Sequence, residues 1–412
     1  MAILSANYVL EIFNLKKDWV KLSDWANIFY NSPISKNHKF KSKMKDIVES
    51  AEFKIILSKI DAKGPKDIAG DFVGFEKKYK FSSLGDEALY NAILNYKKVD
   101  DFDSIIKYSN ALTSTYPKSN LVNDVIIILA SLYEQIGNLE KSAEEYEKFV
   151  ALNQNHKDVL IISEKSFLMR RALGDYSKAL YDIDQQLFLA KSKGKKLEIL
   201  LKKANYFFEL GSYKSALIVY REVISESLPG SAFSIQSKFK AGVANLFSYK
   251  ANEGIKLISE AELLYSKMEN KDLIPVEVVL SAKFEVANLL FNRFSAVKLE
   301  LPINKLKASL AKKLSLVNEL KNRYIEVIEG GDITLVIASL YMIGQTYQLM
   351  SEALFNAPIP KGYTEEELKS YKSTLEEQAF PIEDKAVDAY ERALKKAMEF
   401  GNYNVWVKKA LT

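Results

Sequence analysis

The chain has no cysteine in its 412 residues, which removes thiol nucleophiles, disulfides and thiolate metal sites together and suits an oxidising compartment. It has two histidines, His38 and His156, far apart and in polar, loop-like contexts, so neither a metal site nor an acid–base site has a cluster to stand on. Arginine is scarce as well. Arg170, Arg171, Arg221, Arg293, Arg323 and Arg392 are all there are, and the rest of the positive charge is lysine. Nucleic-acid sites lean on the bidentate guanidinium, so a net charge of +5 does not read as a nucleic-acid surface. No uninterrupted apolar run approaches the roughly 18 residues of a membrane span. Met1–Tyr8 lacks the basic start and apolar centre of a signal peptide. A phosphate-cradling Gly-x-x-x-x-Gly-Lys loop and a His-Glu-x-x-His pair are both missing. Glu144-Glu145 and Glu365-Glu366-Glu367 are sequence neighbours, which point about 100° apart on a helix and so read as solvated faces. The sequence predicts no enzyme, no cofactor and no metal.

What is present is a beat. Asp100-Asp101-Phe102, Gly137-Asn138-Leu139, Gly174-Asp175-Tyr176 and Gly211-Ser212-Tyr213 repeat one turn every 37 residues. An amphipathic helical pattern lies on each side of every turn. Ala204 and Phe207 precede the last of them, and Ala216 and Tyr220 follow it. The small residue lets paired helices approach, and the aromatic four residues later fills the gap one turn on. A fixed period of this kind marks a helical solenoid and reads as tetratricopeptide repeats. The expected fold is all-α, a right-handed superhelix of eight or nine helical pairs.

Four stretches follow in order. Residues 1–84 give irregular helical pairs, with Trp19 and Trp25 on the second helix, a break at Asn31–Asn37, and helices near 42–61 and 65–80. Residues 85–272 hold the regular array, its fifth unit shifted by one residue, with Gly242, Gly254, Ile258 and Ala261 in equivalent places. Residues 273–330 give two long helices, 276–298 and 303–328, separated at Leu301-Pro302. The second suits either a coiled coil or an oversized pair stacked on its neighbours. Residues 331–412 restart the array. Leu340, Ile343, Gly344 and Tyr347 match a first helix, whereas Ala386, Tyr390 and Ala393 match a second helix that arrives about 30 residues late. The insertion, 356–382, is expected to extend both helices as a hairpin projecting outside the repeat core. A last helix begins near Asn404. The chain starts and stops inside helical patterns, and we read it as a piece of a longer polypeptide.

Thr115-Tyr116-Pro117-Lys118-Ser119, followed by Ile128–Tyr133, resembles a phrase of bacterial envelope tetratricopeptide proteins, among them Tol–Pal coordinating and outer-membrane assembly lipoproteins. Ala357-Pro-Ile-Pro360, Tyr371, Ala379–Lys385, Ala389-Tyr390 and Gly401–Asn404 are similar to large tetratricopeptide proteins of deltaproteobacteria and predatory relatives, including the gliding-motility (Glt) envelope machinery. The resemblance implies a structural part of an envelope motility complex, periplasmic or envelope-associated. It also implies, as an alternative, a cytoplasmic adaptor of a Ras-like polarity GTPase.

The candidate site is a groove lined by the first helix of each pair. Spacing from the small-residue slots places Tyr90, Leu94, Lys97, Ile127, Ser131, Glu134, Leu168, Arg171, Leu201, Asn205, Phe208, Phe239, Val243, Tyr341, Gln345 and Gln348 on that wall. This mixture suits an extended peptide or a partner helix. Asn205 fits one slot of a carboxylate clamp, but Leu201 one turn earlier is not the lysine such a clamp needs. Within the insertion, Tyr363, Glu366 and Tyr371 are the candidate contacts. A glycan- or peptidoglycan-binding module is a further reading, and it needs Tyr90, Phe208 and Tyr341 as open aromatic platforms.

Overall fold

The computed structural model describes residues 1–80 and 82–412, and among them there are helices and connecting turns but no strand. It divides into two compact units, Met1–Ala190 and Lys191–Thr412. The division falls inside the expected regular array.

The described residues of unit 1 form ten α-helices. They are α1 (Ala2–Leu15), α2 (Trp19–Tyr30), α3 (His38–Leu57), α4 (Pro65–Lys78), α5 (Gly85–Lys97), α6 (Phe102–Thr115), α7 (Val122–Gln135), α8 (Leu139–Leu152), α9 (Val159–Ala172) and α10 (Tyr176–Leu189). Two residues make each regular turn. The first takes a left-handed backbone, φ 51° at Asp100, 75° at Gly137 and 71° at Gly174. The second caps the next helix: Asp101, Asn138 and Asp175 accept from the backbone N–H of Ser104, Lys141 and Lys178. Its own N–H donates back to the carbonyl of Tyr96, Tyr133 or Arg170 at 2.8–3.1 Å, which stops the preceding helix. Lys17 and Asp18 build the same turn between α1 and α2. The 37-residue beat is therefore the spacing of one stop-and-restart device.

Packing follows the small-residue slots. Ala130 on α7 and Ser142 on α8 are both fully buried, and the Ser142 hydroxyl donates to the Ala130 carbonyl at 2.9 Å. Ile126, Ala130, Tyr146 and Phe149 gather there with Val159 and Ile162 of α9.

Unit 2 begins with α11 (Lys193–Glu209) and α12 (Tyr213–Glu226), joined through Gly211 at φ 69°. Next come α13 (Ala232–Phe247) and α14 (Ala251–Ser266), the shifted fifth unit, where Gly242 and Gly254 bring the two backbones together. The long pair is α15 (Val276–Ser295) and α16 (Ile303–Glu329). α16 buries Val317, Leu320, Tyr324 and Val327 against its neighbours, so it stacks as an oversized repeat helix. The last elements are α17 (Ile333–Phe355), α18 (Glu365–Phe400) and α19 (Val405–Leu411).

The insertion lengthens both members of the last pair, and α18 runs through Pro381 without ending. The hairpin forms as expected, but the part of it that adjoins the repeat packs on the core and does not lie wholly outside it. Ala379 is fully buried, and Leu375 and Ile382 pack on the cluster that holds Met350 and Leu354. Leucine and alanine one turn apart bury an apolar stripe wherever a partner helix is long enough to receive it. Among the described residues, only α17 is long and apolar enough to cross a membrane. Its apolar positions are taken up by packing on α16, α18 and α19.

Candidate functional site

Three rows run over successive first helices in unit 1 at the 37-residue interval. Lys97, Glu134 and Arg171 occupy equivalent places on α5, α7 and α9. Lys97 and Arg171 are exposed, whereas Glu134 accepts from the Tyr146 hydroxyl at 2.9 Å and from Lys165 Nζ at 3.3 Å. The second row is Leu94, Ser131 and Leu168. Ser131 is exposed and Leu168 keeps 46% of its surface open. In the third row Tyr90 and Ile127 are half-buried. Burial raises the Tyr90 hydroxyl pKa, and the carboxylate of Asp124 adds to the effect.

Unit 2 buries part of the expected wall. Leu201, Phe239, Val243 and Tyr341 are buried. Leu201 packs with Ala204 and Leu217, and Phe239 and Val243 pack with Ile258 and Val278. These helices present wider apolar faces than a single row, and the next repeat covers the excess. Tyr341 is closed in by Tyr390 and by Trp406 of α19, both rings 5.6 Å away, and burial raises its pKa. Asn205 is half-buried and accepts the Tyr220 hydroxyl at 2.7 Å, so its amide oxygen already has a structural partner. The half-buried ring of Phe208 meets Tyr213 at 5.2 Å and Phe247 at 5.9 Å, with Lys240 Nζ 6.0 Å from its centroid. Gln345 is half-buried, and Gln348 is exposed and accepts the Tyr390 hydroxyl at 2.7 Å.

The insertion candidates come close together. Tyr363 and Tyr371 meet edge to face at 5.7 Å, and the Tyr371 hydroxyl donates to the Pro358 carbonyl at 3.1 Å. Glu366 is exposed in the first turn of α18. Thr364 and Glu367 close a capping box there, which fixes where the helix begins.

His38 and His156 are exposed and stay apart, and His156 sits edge-on to Phe149 at 5.2 Å. Among the described residues no three His, Asp or Glu side chains gather in a way that could hold a metal ion.

A polar core in the α9–α10 pair, the third repeat of the regular array, is the feature that pattern reading missed. Arg170 is 1% exposed and grips Glu147 through two bonds, Nε–Oε1 at 2.6 Å and Nη2–Oε2 at 2.9 Å. Asp182 lies buried near it. Desolvation first, and the Glu147 charge second, push its carboxyl up to about 7 against the pull of Ser166 and Arg170. Ser163, Ser166, Arg170 and Gln186 stand where the previous repeat has Ile126, Leu129, Tyr133 and Phe149. Aligning the two repeats at 37 residues would have exposed the exchange.

No family model matches the chain, and no curated protein does. Solved structures resemble it at low identity. A tetratricopeptide repeat protein from Parabacteroides merdae is 14% identical, covers 70% of this chain and 98% of its own, and superposes with a TM-score of 0.32. The apo form of RapI is 12% identical over 86% of this chain and 97% of its own, with a TM-score of 0.35. MamA protein is 17% identical over 45% of this chain and 94% of its own, with a TM-score of 0.31.

Proposed function

We propose that the chain is a non-catalytic scaffold that binds protein partners along the groove-lining rows of its first helices. The observation that carries this is a pair of neighbouring rows in unit 1: Lys97 and Arg171 reach solvent from equivalent positions on α5 and α9, and Ser131 and Leu168 from equivalent positions on α7 and α9. Rows that mix one leucine with cations and a hydroxyl suit a peptide or helix with apolar and acidic positions. The glycan reading loses Tyr341 to burial and keeps Tyr90 and Phe208 only as half-buried rings. The setting we infer is a bacterial envelope motility complex, on the resemblance of the 357–404 phrases. A Ras-like GTPase is the alternative partner.

The test is a crosslinking pull-down from the native organism with the tagged full-length protein, run beside Leu168→Glu/Arg171→Glu. Envelope proteins captured by the wild type and lost from the variant support the reading. A catch that the variant retains in full would sink the rows as the binding surface. A cytoplasmic GTPase, lost in the same way, would keep the scaffold and move its setting.

A further inference from the structure

We propose that a cleft in unit 2 receives a basic side chain, lysine or arginine, from a protein partner, which rests on the scaffold reading above. The cleft has a volume of about 220 Å³ and is lined by residues of α14, α15 and α16. Its apolar surface comes from Ile255 on α14 and from Val286, Leu289 and Leu290 on α15, all half-buried. Steps of three and four residues put the α15 members on one helix face. Such a surface suits an aliphatic stem, the part of lysine or arginine that packs on apolar groups while its head stays charged.

Charge decides which head the stem carries. Six charged side chains line the cleft, and four of them are already engaged. Lys283 Nζ lies 3.5 Å from Glu326, and Arg323 donates to Glu319 through Nε at 3.1 Å and Nη2 at 3.0 Å. Glu262 is left over. It is half-buried and has neither a hydrogen bond nor an ion pair among the described residues. Desolvation raises its carboxyl above the ordinary range, and the charge of Glu326 adds to this against the pull of Lys283 and Arg323. A carboxylate drawn out of water without a partner is costly, and a cation seated beside it removes that cost. Ser259, three residues earlier on α14, also lines the cleft and offers its hydroxyl oxygen as a second acceptor.

Other occupants fit less well. Arg293 is the remaining charge, ten residues beyond Lys283 on α15, about 15 Å of helix away. It is exposed and keeps its water, so an anion at that end relieves no desolvation. A metal ion lacks a ligand set, since among the described residues no three acidic or histidine side chains gather to hold one.

Methyl NMR on the full chain tests this with two probes. One is n-butylguanidinium, the free stem and head of an arginine, and the other is acetyl-alanyl-arginyl-alanine amide, the same side chain on a backbone. Both should shift the methyl signals of Ile255, Val286 and Leu289 saturably, with a Kd in the millimolar range. Glu262→Gln keeps the size of the side chain and should keep wild-type helicity, checked by circular dichroism. It should weaken both probes about tenfold, the usual worth of a hydrogen bond to a charged group. n-Butanol, a stem without the head, should also bind about tenfold more weakly. The absence of a saturable shift would overturn the proposal, as would binding unchanged in Glu262→Gln or equal binding of n-butanol. Binding of n-butylguanidinium with the tripeptide excluded would give the cleft to a small organic cation and overturn the protein partner. These probes report on the cleft alone and the pull-down reports on the scaffold, so either reading can fail without the other.

Discussion

The pairs α11–α12 and α17–α18 make the same kind of contact on very different lengths of chain. In the first, Ala204 and Ala216 stand 12 residues apart, and Tyr220 fills the gap with its hydroxyl on Asn205. In the second, Gly344 and Ala386 stand 42 residues apart, and Tyr390 lies over Gly344 with its hydroxyl on Gln348. A Cβ built on Gly344 would lie 2.6 Å from the Tyr390 ring, so the longer pair is the tighter one. A repeat in this protein is defined by a small residue beneath an aromatic ring, and the connection between them can grow. The added residues lengthen both helices, and Leu375, Ala379 and Ile382 use the extra length to bury more surface.

The contact is best broken where it is tightest. Gly344→Leu should lower unfolding free energy by about 3 kcal/mol, because a ring and a backbone cannot both yield in a filled core. Urea denaturation measures it, and adding Tyr390→Ala should recover part of the loss. An additive double mutant would show that the two residues do not share the contact.

The α9–α10 pair sharpens the comparison by replacing its apolar filling with charge. The Asp182 carboxyl is raised from the ordinary 3.8 to about 7 in the folded protein, so folding favours its proton. Stability from this group is present at low pH and is lost as pH rises from about 4 through 7. Asp182→Asn should therefore gain on the order of 2 kcal/mol at pH 8 and lose that advantage near pH 4. Thermal unfolding across that range checks it, and a gain independent of pH would remove the carboxyl as the cause.

Smaller effects separate the two aromatic contacts. Tyr220→Phe should cost about 1 kcal/mol, since it strips the partner from a half-buried amide. Tyr390→Phe should cost roughly half as much, since its hydroxyl bond to Gln348 lies at the surface. Equal losses in denaturation would contradict the ranking.

Changes of similar size concern the turns. Asp100 holds a left-handed backbone where Gly137, Gly174 and Gly211 hold it in the later repeats. Asp100→Gly should stabilise by about 0.5 kcal/mol and Gly137→Ala should destabilise by about 1 kcal/mol. Opposite signs in one melting experiment are the check.

The turns and the small-residue slots were legible because their causes are local. A left-handed residue followed by a capping aspartate or asparagine stops one helix and starts the next within six residues, whatever lies around it. The same holds for the 344–390 pairing, since a glycine one helix away from an aromatic is a shape requirement written into both helices. The polar core of α9–α10 was written there as well, but only as departures from a repeat, visible when two repeats are laid side by side.

The exposed rows were a different matter. Spacing placed Leu201, Phe239, Val243 and Tyr341 on the same inner wall as Lys97 and Leu168, yet the first four are buried. Periodicity fixes which way a side chain points from its own helix, and the sequence by itself determined that much, together with the helices, their turns and their pairing. Whether another element covers that face depends on contacts between residues far apart in the chain. Trp406 closing over Tyr341 joins positions 65 residues apart, and no helical period carries that information. Only the tertiary structure decided it, because burial belongs to the packed array and side-chain direction belongs to the single helix.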